Sequence, residues 1–251
     1  MIVTTTAIAF ISLSVGLGVC GWRFLKAFRK MNDSVGGGRI GFLLTLFFLG
    51  FTFQTGGILG LGTLFFAAVP GGLHVVAITA NAFLTLLAIL GVYTSYHIFS
   101  PRAAPWPAMI LVLLFGVIGV TLTIVTDLKP FITSSGGVEW NAMPPLSLIM
   151  FFLLLMSIGS QLYIFTRLFL QAGTRELKIT SAIIAFIALG GVITQFIRFI
   201  LFRDGTATAF HSRVYDVATG LLGLIFIVGL VVIPFIRSRT TKVSKEDRLV
   251  R

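Results

Sequence analysis

Charged residues are scarce in this chain of 251 residues: they make up 11% of the sequence, whereas hydrophobic residues make up 57%. A soluble domain carries about 25% charged residues, so this composition excludes a soluble globular protein. The dominance of apolar residues also excludes an intrinsically disordered chain. The composition therefore predicts an integral membrane protein.

Cysteine is nearly absent, since Cys20 is the single one and lies within an apolar stretch. One cysteine excludes an intrachain disulfide and a cysteine-based metal site. The sequence also lacks the H-E-x-x-H, G-x-S-x-G and C-x-x-C motifs, and no acidic pair lies inside an apolar run. We therefore expect no enzymatic activity.

Long uncharged windows mark the membrane spans, because ionisable residues are costly in the hydrocarbon core and about 20 apolar residues cross it. Residues 40–101 hold no charge, and Pro70-Gly71-Gly72 predicts a turn that divides them into two helices. The windows predict an all-α polytopic protein: a bundle of seven transmembrane helices at 1–236 and a basic cytoplasmic tail at 237–251. The spans are expected at about 1–22, 40–68, 73–99, 104–126, 144–166, 179–202 and 214–236.

Positive charge is unevenly distributed over this topology. Nineteen Lys and Arg against eight Asp and Glu give a net charge of +11. With the N-terminus outside, fifteen of the basic residues lie on the inner side and only Lys129, Arg198, Arg203 and Arg213 on the outer side. Because an excess of Lys and Arg marks cytoplasmic loops, we expect the N-terminus outside and the C-terminus in the cytoplasm. The net charge of +11 is then explained by the topology. The expected location is a plasma membrane or a bacterial inner membrane.

Spans 1–3 and 5–7 run in the same direction, so a parallel 3+1+3 repeat is geometrically allowed. Residues 80–91 align with residues 218–229 at an offset of 138, and Gln54 and Gln195 each follow a Leu-Gly pair in their spans. Apolar segments align easily by chance, so a bundle without a repeat is the alternative.

Glycines at helical spacing predict where helices approach closely. Gly116 with Gly119 and Gly220 with Gly223 put small residues on one helix face, which lets backbones meet in lipid. The alternative is the general enrichment of glycine in membrane helices.

Polar side chains inside the spans are the candidates for a functional site. Gln195 and Arg198 lie three residues apart and share one face of span 6. We expect them to join a polar cluster in the outer half of the bundle. The alternative is structural: Arg198 pairs with Asp216, and the amides only hydrogen-bond neighbouring helices. The candidate ligand-binding residues are Gln54, Asn81, Gln195, Arg198, Tyr215 and Asp216.

These residues predict a non-enzymatic membrane protein that binds a small ligand in an outward-facing polar cleft, for transport or for sensing. The alternative is a membrane subunit of a larger complex, structural or carrying haem b. In that case His74 and His211 at the outer rim would hold the haem iron between two imidazoles. No other cofactor and no other metal are expected.

The expected partners are lipids. Basic and aromatic residues are interleaved from Trp22 to Lys30, at the inner end of span 1. Such a segment lies against anionic lipid headgroups, with about 1 kcal/mol contributed by each basic residue. We therefore expect contact with anionic headgroups at the inner face and no nucleic-acid partner. Partner membrane subunits stay an open alternative.

Overall fold

A computed structural model describes residues 3–30, 37–126, 129–134, 136–140, 144–171, 173, 175–201 and 209–229. These residues form long helices joined by short connections, and one small hairpin. The helices are α1 (Thr5–Lys30), α2 (37–66), α3 (Gly72–Phe99), α4 (Trp106–Val125), α5 (Leu146–Gln171), α6 (175–201) and α7 (Ala209–Ile227). Between α4 and α5, strands β1 (Phe131–Ile132) and β2 (Val138–Glu139) pair antiparallel.

Six helices, α1 to α6, are long and apolar enough to cross a membrane. Many of their large apolar side chains are exposed, among them Leu86, Leu114 and Phe186, as expected of a surface that faces lipid. The prediction of an all-α membrane bundle is confirmed at this level. The seventh predicted span begins within α7, and its residues from 230 onward lie outside the described residues.

The ends of the helices follow local sequence signals. Thr4 caps α1, since its hydroxyl accepts a hydrogen bond from the Ala7 amide at 3.1 Å. Gly71 lies between α2 and α3 with φ of 73°, a left-handed conformation that glycine adopts without steric penalty. The predicted division of residues 40–101 at this turn is confirmed.

Helices α2, α5 and α6 contain π-helical segments, which the sequence did not predict. They are Phe53–Leu61 in α2, Leu155–Gly159 in α5 and Ile197–Leu201 in α6. The hydroxyls of Thr52 and Thr55 donate to helix carbonyls of α2 at 2.8 Å. The same type of bond is formed by Thr85 and Thr94 in the regular helix α3, so it satisfies the hydroxyls without accounting for the π-helical turn. Segments of this kind are frequent at functional sites.

A phenylalanine-rich core holds the helices together at the end of the bundle away from the hairpin. The ring of Phe48 stacks on Phe24 at 5.4 Å and meets Phe165 at 6.0 Å. Cys20 is buried in the same cluster. The aromatic residues thus pack α1, α2 and α5 against one another.

Helices α1 and α7 approach closely because α7 presents a glycine at the contact. A Cβ atom added at Gly223 would lie 2.7 Å from the backbone nitrogen of Leu13. A Cβ atom added at Gly220, three residues earlier, would meet nothing within 4 Å. Of the predicted pair Gly220 and Gly223, it is therefore Gly223 whose position leaves no room for a side chain.

We expect Gly223→Ala to destabilise the protein and Gly220→Ala to leave it unchanged or slightly more stable. The added methyl group at 223 clashes with backbone atoms that cannot rotate away, a type of overpacking that costs about 1–3 kcal/mol. At 220 the methyl group has free space and alanine favours helix. Thermal unfolding of both variants in detergent measures the difference, and equal melting temperatures would contradict the α1–α7 packing.

Candidate ligand cavity

A cavity of about 150 Å³ lies between the helices in the half of the bundle that carries the hairpin. Five of the six predicted site residues line it: Gln54, Asn81, Gln195, Arg198 and Tyr215. They come from α2, α3, α6 and α7. The fold therefore brings together polar side chains that are far apart in the sequence, as the cluster prediction required.

Gln54, a residue of the cavity lining, has an unpartnered hydrogen-bond acceptor. Its side-chain nitrogen donates to the carbonyl oxygen of Ala80 on α3 at 3.1 Å. Because a carbonyl oxygen can only accept, the amide nitrogen must face Ala80, and the amide oxygen Oε1 points elsewhere. Oε1 is buried and has no hydrogen-bond partner within the described residues. In a largely apolar cavity such an atom favours a ligand that can donate to it.

Asn81 is held by a short hydrogen-bond relay from α3 to α4. Its side-chain nitrogen donates to the hydroxyl oxygen of Thr123 at 2.7 Å. That hydroxyl donates in turn to the carbonyl oxygen of Gly119 at 2.8 Å. The relay fixes the orientation of the Asn81 amide at the cavity wall. Thr123, which also lines the cavity, was not predicted, because one threonine in an apolar span gives no distinguishing signal.

The side chains of Gln195, Arg198 and Tyr215 form one cluster at the α6–α7 contact. The Gln195 amide nitrogen donates to the Tyr215 hydroxyl oxygen at 3.0 Å. The guanidinium carbon of Arg198 lies 4.2 Å from the centre of the Tyr215 ring, a cation–π contact. Gln195 and Arg198 thus share one face of α6, as their spacing predicted.

Arg198 forms its ion pair with the hairpin. Its Nη2 atom lies 3.8 Å from the Glu139 carboxylate oxygen, which is too long for a hydrogen bond. The buried Nη2 atom has no hydrogen-bond partner in the described ranges. The structural alternative placed Asp216 opposite Arg198, whereas the ion pair in the structure is with Glu139. The guanidinium of Arg198, a lining residue, therefore holds a donor without a hydrogen-bond partner in the described residues.

Asp216 lies outside the cavity lining and connects α7 to α1. The hydroxyl groups of Thr5 and Thr6 donate to its carboxylate at 2.6 and 2.9 Å. The Thr6 hydroxyl also accepts the Val138 amide of β2 at 2.8 Å, and the Thr5 amide donates to the Gly136 carbonyl at 3.0 Å. We call Thr5, Thr6, Val138 and Asp216 the hairpin clasp. It holds the hairpin beside the cavity.

Each of the three π-helical segments contributes to the cavity wall. Gln54 belongs to the segment in α2, Ile158 to that in α5, and Arg198 to that in α6. A π-helical turn shifts the helix face that the following residues present. The irregular segments therefore all lie beside the cavity.

Large apolar side chains form most of the remaining wall. They include Phe10 of α1, Phe51 of α2, Met150 of α5 and Phe199 of α6. Trp140, directly after β2, also lines the cavity. Trp140 was not predicted as a site residue, since its contact with the cavity depends on the hairpin that the clasp holds. The cavity is thus apolar with a few fixed polar groups, as small-molecule sites usually are.

The histidines of the haem alternative are not brought to this cavity in the described residues. His74 is half-buried near the start of α3 and lies outside the lining. The side chain of His211 lies outside the part of the chain that the structure describes. Where side chains are described, no three His, Cys, Asp or Glu residues cluster in a way that could hold a metal ion. The haem subunit therefore stays a prediction.

Comparisons with protein-family models, curated proteins and solved structures find no match to this chain.

The hairpin clasp predicts a stability difference between two threonines. Thr6→Val keeps the shape of the side chain but removes its bonds to Asp216 and leaves the Val138 amide without a partner, so we expect a loss of about 1–3 kcal/mol. Thr79→Val is the matched control, because the exposed Thr79 hydroxyl bonds only to its own helix. Thermal unfolding compares the two, and equal stability would argue against the clasp.

Proposed function

We propose that this chain is an integral membrane protein that binds a small neutral molecule in the cavity between its helices, for transport or for sensing. The observation that carries the proposal is a pair of buried polar atoms without hydrogen-bond partners in the described residues, Gln54 Oε1 and Arg198 Nη2. Both residues line the same cavity. One atom accepts and the other donates, so the two residues favour a ligand that carries hydroxyl groups.

The size of the cavity limits the part of the ligand that it encloses. An engineered cavity of about 150 Å³ in another protein binds benzene, so the volume here is suited to a single ring or a chain of similar size. The wall is apolar apart from a few fixed groups, which favours a compact apolar body with one polar end.

The local charges favour a neutral ligand. Arg198 is the cation at the cavity, and the carboxylate of Glu139 lies 3.8 Å from it. An anionic ligand would meet this negative charge, and a cationic ligand would meet the guanidinium.

We also propose the full topology: seven spans, with α7 continuing as the last one, the N-terminus outside and the C-terminus in the cytoplasm. The uncharged sequence from 217 to 236 supports the seventh span, and the concentration of Lys and Arg on one side supports the orientation. The hairpin end, with the cavity, then faces outward.

The cavity lining supports a parallel 3+1+3 repeat within this topology. Three lining positions of α3 recur in α7 at the offset of 138 found in the sequence. Ala77 corresponds to Tyr215, Asn81 to Thr219 and Leu84 to Leu222, and all six residues line the cavity. Equivalent faces of the two halves would thus enclose one central site, as in transporters built from repeats.

The ligand site is tested with 4-bromophenol, a neutral ring with one hydroxyl group whose bromine quenches tryptophan fluorescence on contact. In a chain with Trp22→Phe and Trp106→Phe, only Trp140 at the cavity emits, and we expect saturable quenching. Gln54→Leu removes the acceptor and should weaken apparent binding about tenfold, or about 1.4 kcal/mol. Gln171→Leu, at the exposed end of α5, is the matched control.

Partition of the probe into detergent is measured separately. The Trp140→Phe variant keeps only the exposed Trp22 and Trp106, so its quenching reports the probe in the surrounding detergent. Linear quenching of the same size in both chains would contradict a site at the cavity. It would favour the alternative of a structural membrane subunit.

The orientation is tested with cysteines introduced at two exposed positions on either side of α4. We expect an impermeant maleimide added to intact expressing cells to label Ser134→Cys, in the hairpin connection, and not Ala103→Cys. The second variant should be labelled only after the membranes are opened. Native Cys20 is buried, so the parent protein gives the background. The reverse pattern would place the N-terminus inside.

A further inference from the structure

The helix faces that line the cavity on α3 and α5 continue toward the opposite end of the bundle. Leu84 lines the cavity, and Gly91 and Ser95 follow it on α3 at spacings of seven and eleven residues. On α5, Leu154 lines the cavity and Gln161 follows seven residues later. On α3, which is regular α-helix, residues at these spacings share one face, and the stretch of α5 near Gln161 lies opposite Gly91.

The two faces contact each other beyond the cavity. A Cβ atom added at Gly91 would lie 2.5 Å from the Ser160 hydroxyl oxygen and 3.3 Å from the Ser157 carbonyl oxygen. Nearer the end of α3, the rings of Phe99 and Tyr163 meet at 4.9 Å. Ser95 and Gln161 lie between these two contacts along their helices. We call Gly91, Ser95, Ser157, Ser160 and Gln161 the polar seam.

The seam buries polar atoms without joining the helices by hydrogen bonds. Ser157 is fully buried and Gln161 is 3% exposed. The hydroxyl oxygens of Ser95 and Ser157 and the amide oxygen of Gln161 have no hydrogen-bond partner among the described residues. The Ser160 hydroxyl donates to the Ser157 carbonyl of its own helix at 2.6 Å.

Small residues such as Gly91 and Ser160 let membrane helices approach closely, whereas polar residues stabilise a bundle by bonding across helices. The buried oxygens of Ser157 and Gln161 form no such bond in the described chain. Buried polar atoms without partners are unfavourable where water is excluded. They become favourable in a conformation in which water or a polar solute reaches them.

We propose that the polar seam is the inner half of a solute path, and that the protein is a transporter whose cavity opens alternately to the hairpin end and to the opposite end. Separation of α3 and α5 along the seam would open the inner half. The side chains at the seam itself are small, and the π-helical segment Leu155–Gly159 gives α5 an irregular turn at the same level. Opening would also part apolar contacts between α3 and α5 on either side of the seam, such as that of Phe99 with Tyr163.

This inference rests on the proposed function, because the cavity provides the solute site. It goes further by choosing transport over sensing. A sensor needs access to its site from one side only, and buried polar groups between the site and the opposite end would serve no purpose in it.

Water access to the seam is tested with cysteines in protein reconstituted in liposomes. The probe is methyl methanethiosulfonate, a small neutral reagent that modifies the ionised thiol, which forms where water reaches. We expect Ser157→Cys to be modified at least tenfold faster than Leu153→Cys, as measured by intact mass. Leu153 is the matched control, since it lies one turn earlier on α5, is fully buried and packs in an apolar cluster. The parent protein, with buried Cys20, gives the background.

A second position keeps the test independent of one variant. If Ser157→Cys does not fold, Gln161→Cys is compared with Leu153→Cys in the same way. Equal modification rates at the seam and at position 153 would overturn the proposal.

Adding 4-bromophenol provides a further check, because occupation of the cavity should change the labelling rate at the seam and not that of the parent protein. No change at the seam would overturn the coupling of cavity and path.

The two proposals fail separately. Saturable quenching of Trp140 together with an unreactive seam would leave the ligand site in place and overturn transport. A reactive seam without quenching would support a path and contradict the ligand site for a neutral ring.

Discussion

The structure depends on one constraint: the hydrocarbon core offers no hydrogen-bond partners, so each polar group placed there must find one within the protein. The backbone meets this constraint by forming helices. Among the side chains, the hydroxyls of Thr52 and Thr55 bond to their own helix, and Asn81 bonds through Thr123 to the backbone of α4. Among the described residues, buried side-chain atoms without a partner occur in the cavity lining at Gln54 and Arg198 and in the polar seam at Ser95, Ser157 and Gln161, and also elsewhere, as at Ser147 and Ser181.

Much of the fold could be predicted from the sequence, because the cost of placing a charged or polar side chain in the hydrocarbon core can be assessed residue by residue. The uncharged windows predicted the six helices that are apolar enough to cross a membrane, and the turn at Gly71 was placed correctly. The hairpin could not be predicted, since its position depends on the bond between the Thr5 amide and the Gly136 carbonyl. The π-helical segments could not be predicted either, because a π-helix and an α-helix in a membrane have the same apolar composition.

The candidate site was predictable to a similar extent. Polar residues in apolar spans are few, and Gln54, Asn81 and Gln195 all line the cavity. The partner of Arg198 was missed because Glu139 lies in the hairpin, outside any predicted span. Asp216 was expected in the cluster, but its carboxylate is bound by Thr5 and Thr6, whose hydroxyls gave no signal in the sequence.

The hairpin clasp also sets an order of events during synthesis. Thr6 and Asp216 are 210 residues apart in the chain, which a ribosome covers in about 10 to 40 s at about 5–20 residues per second. During that time the first helix can enter the membrane, but its threonine hydroxyls lack their carboxylate partner. The hairpin, which bonds to Thr5 and Thr6, emerges before α7 is made. Closure of the bundle therefore waits for its last described helix, and a nascent chain that ends before Asp216 still lacks the clasp.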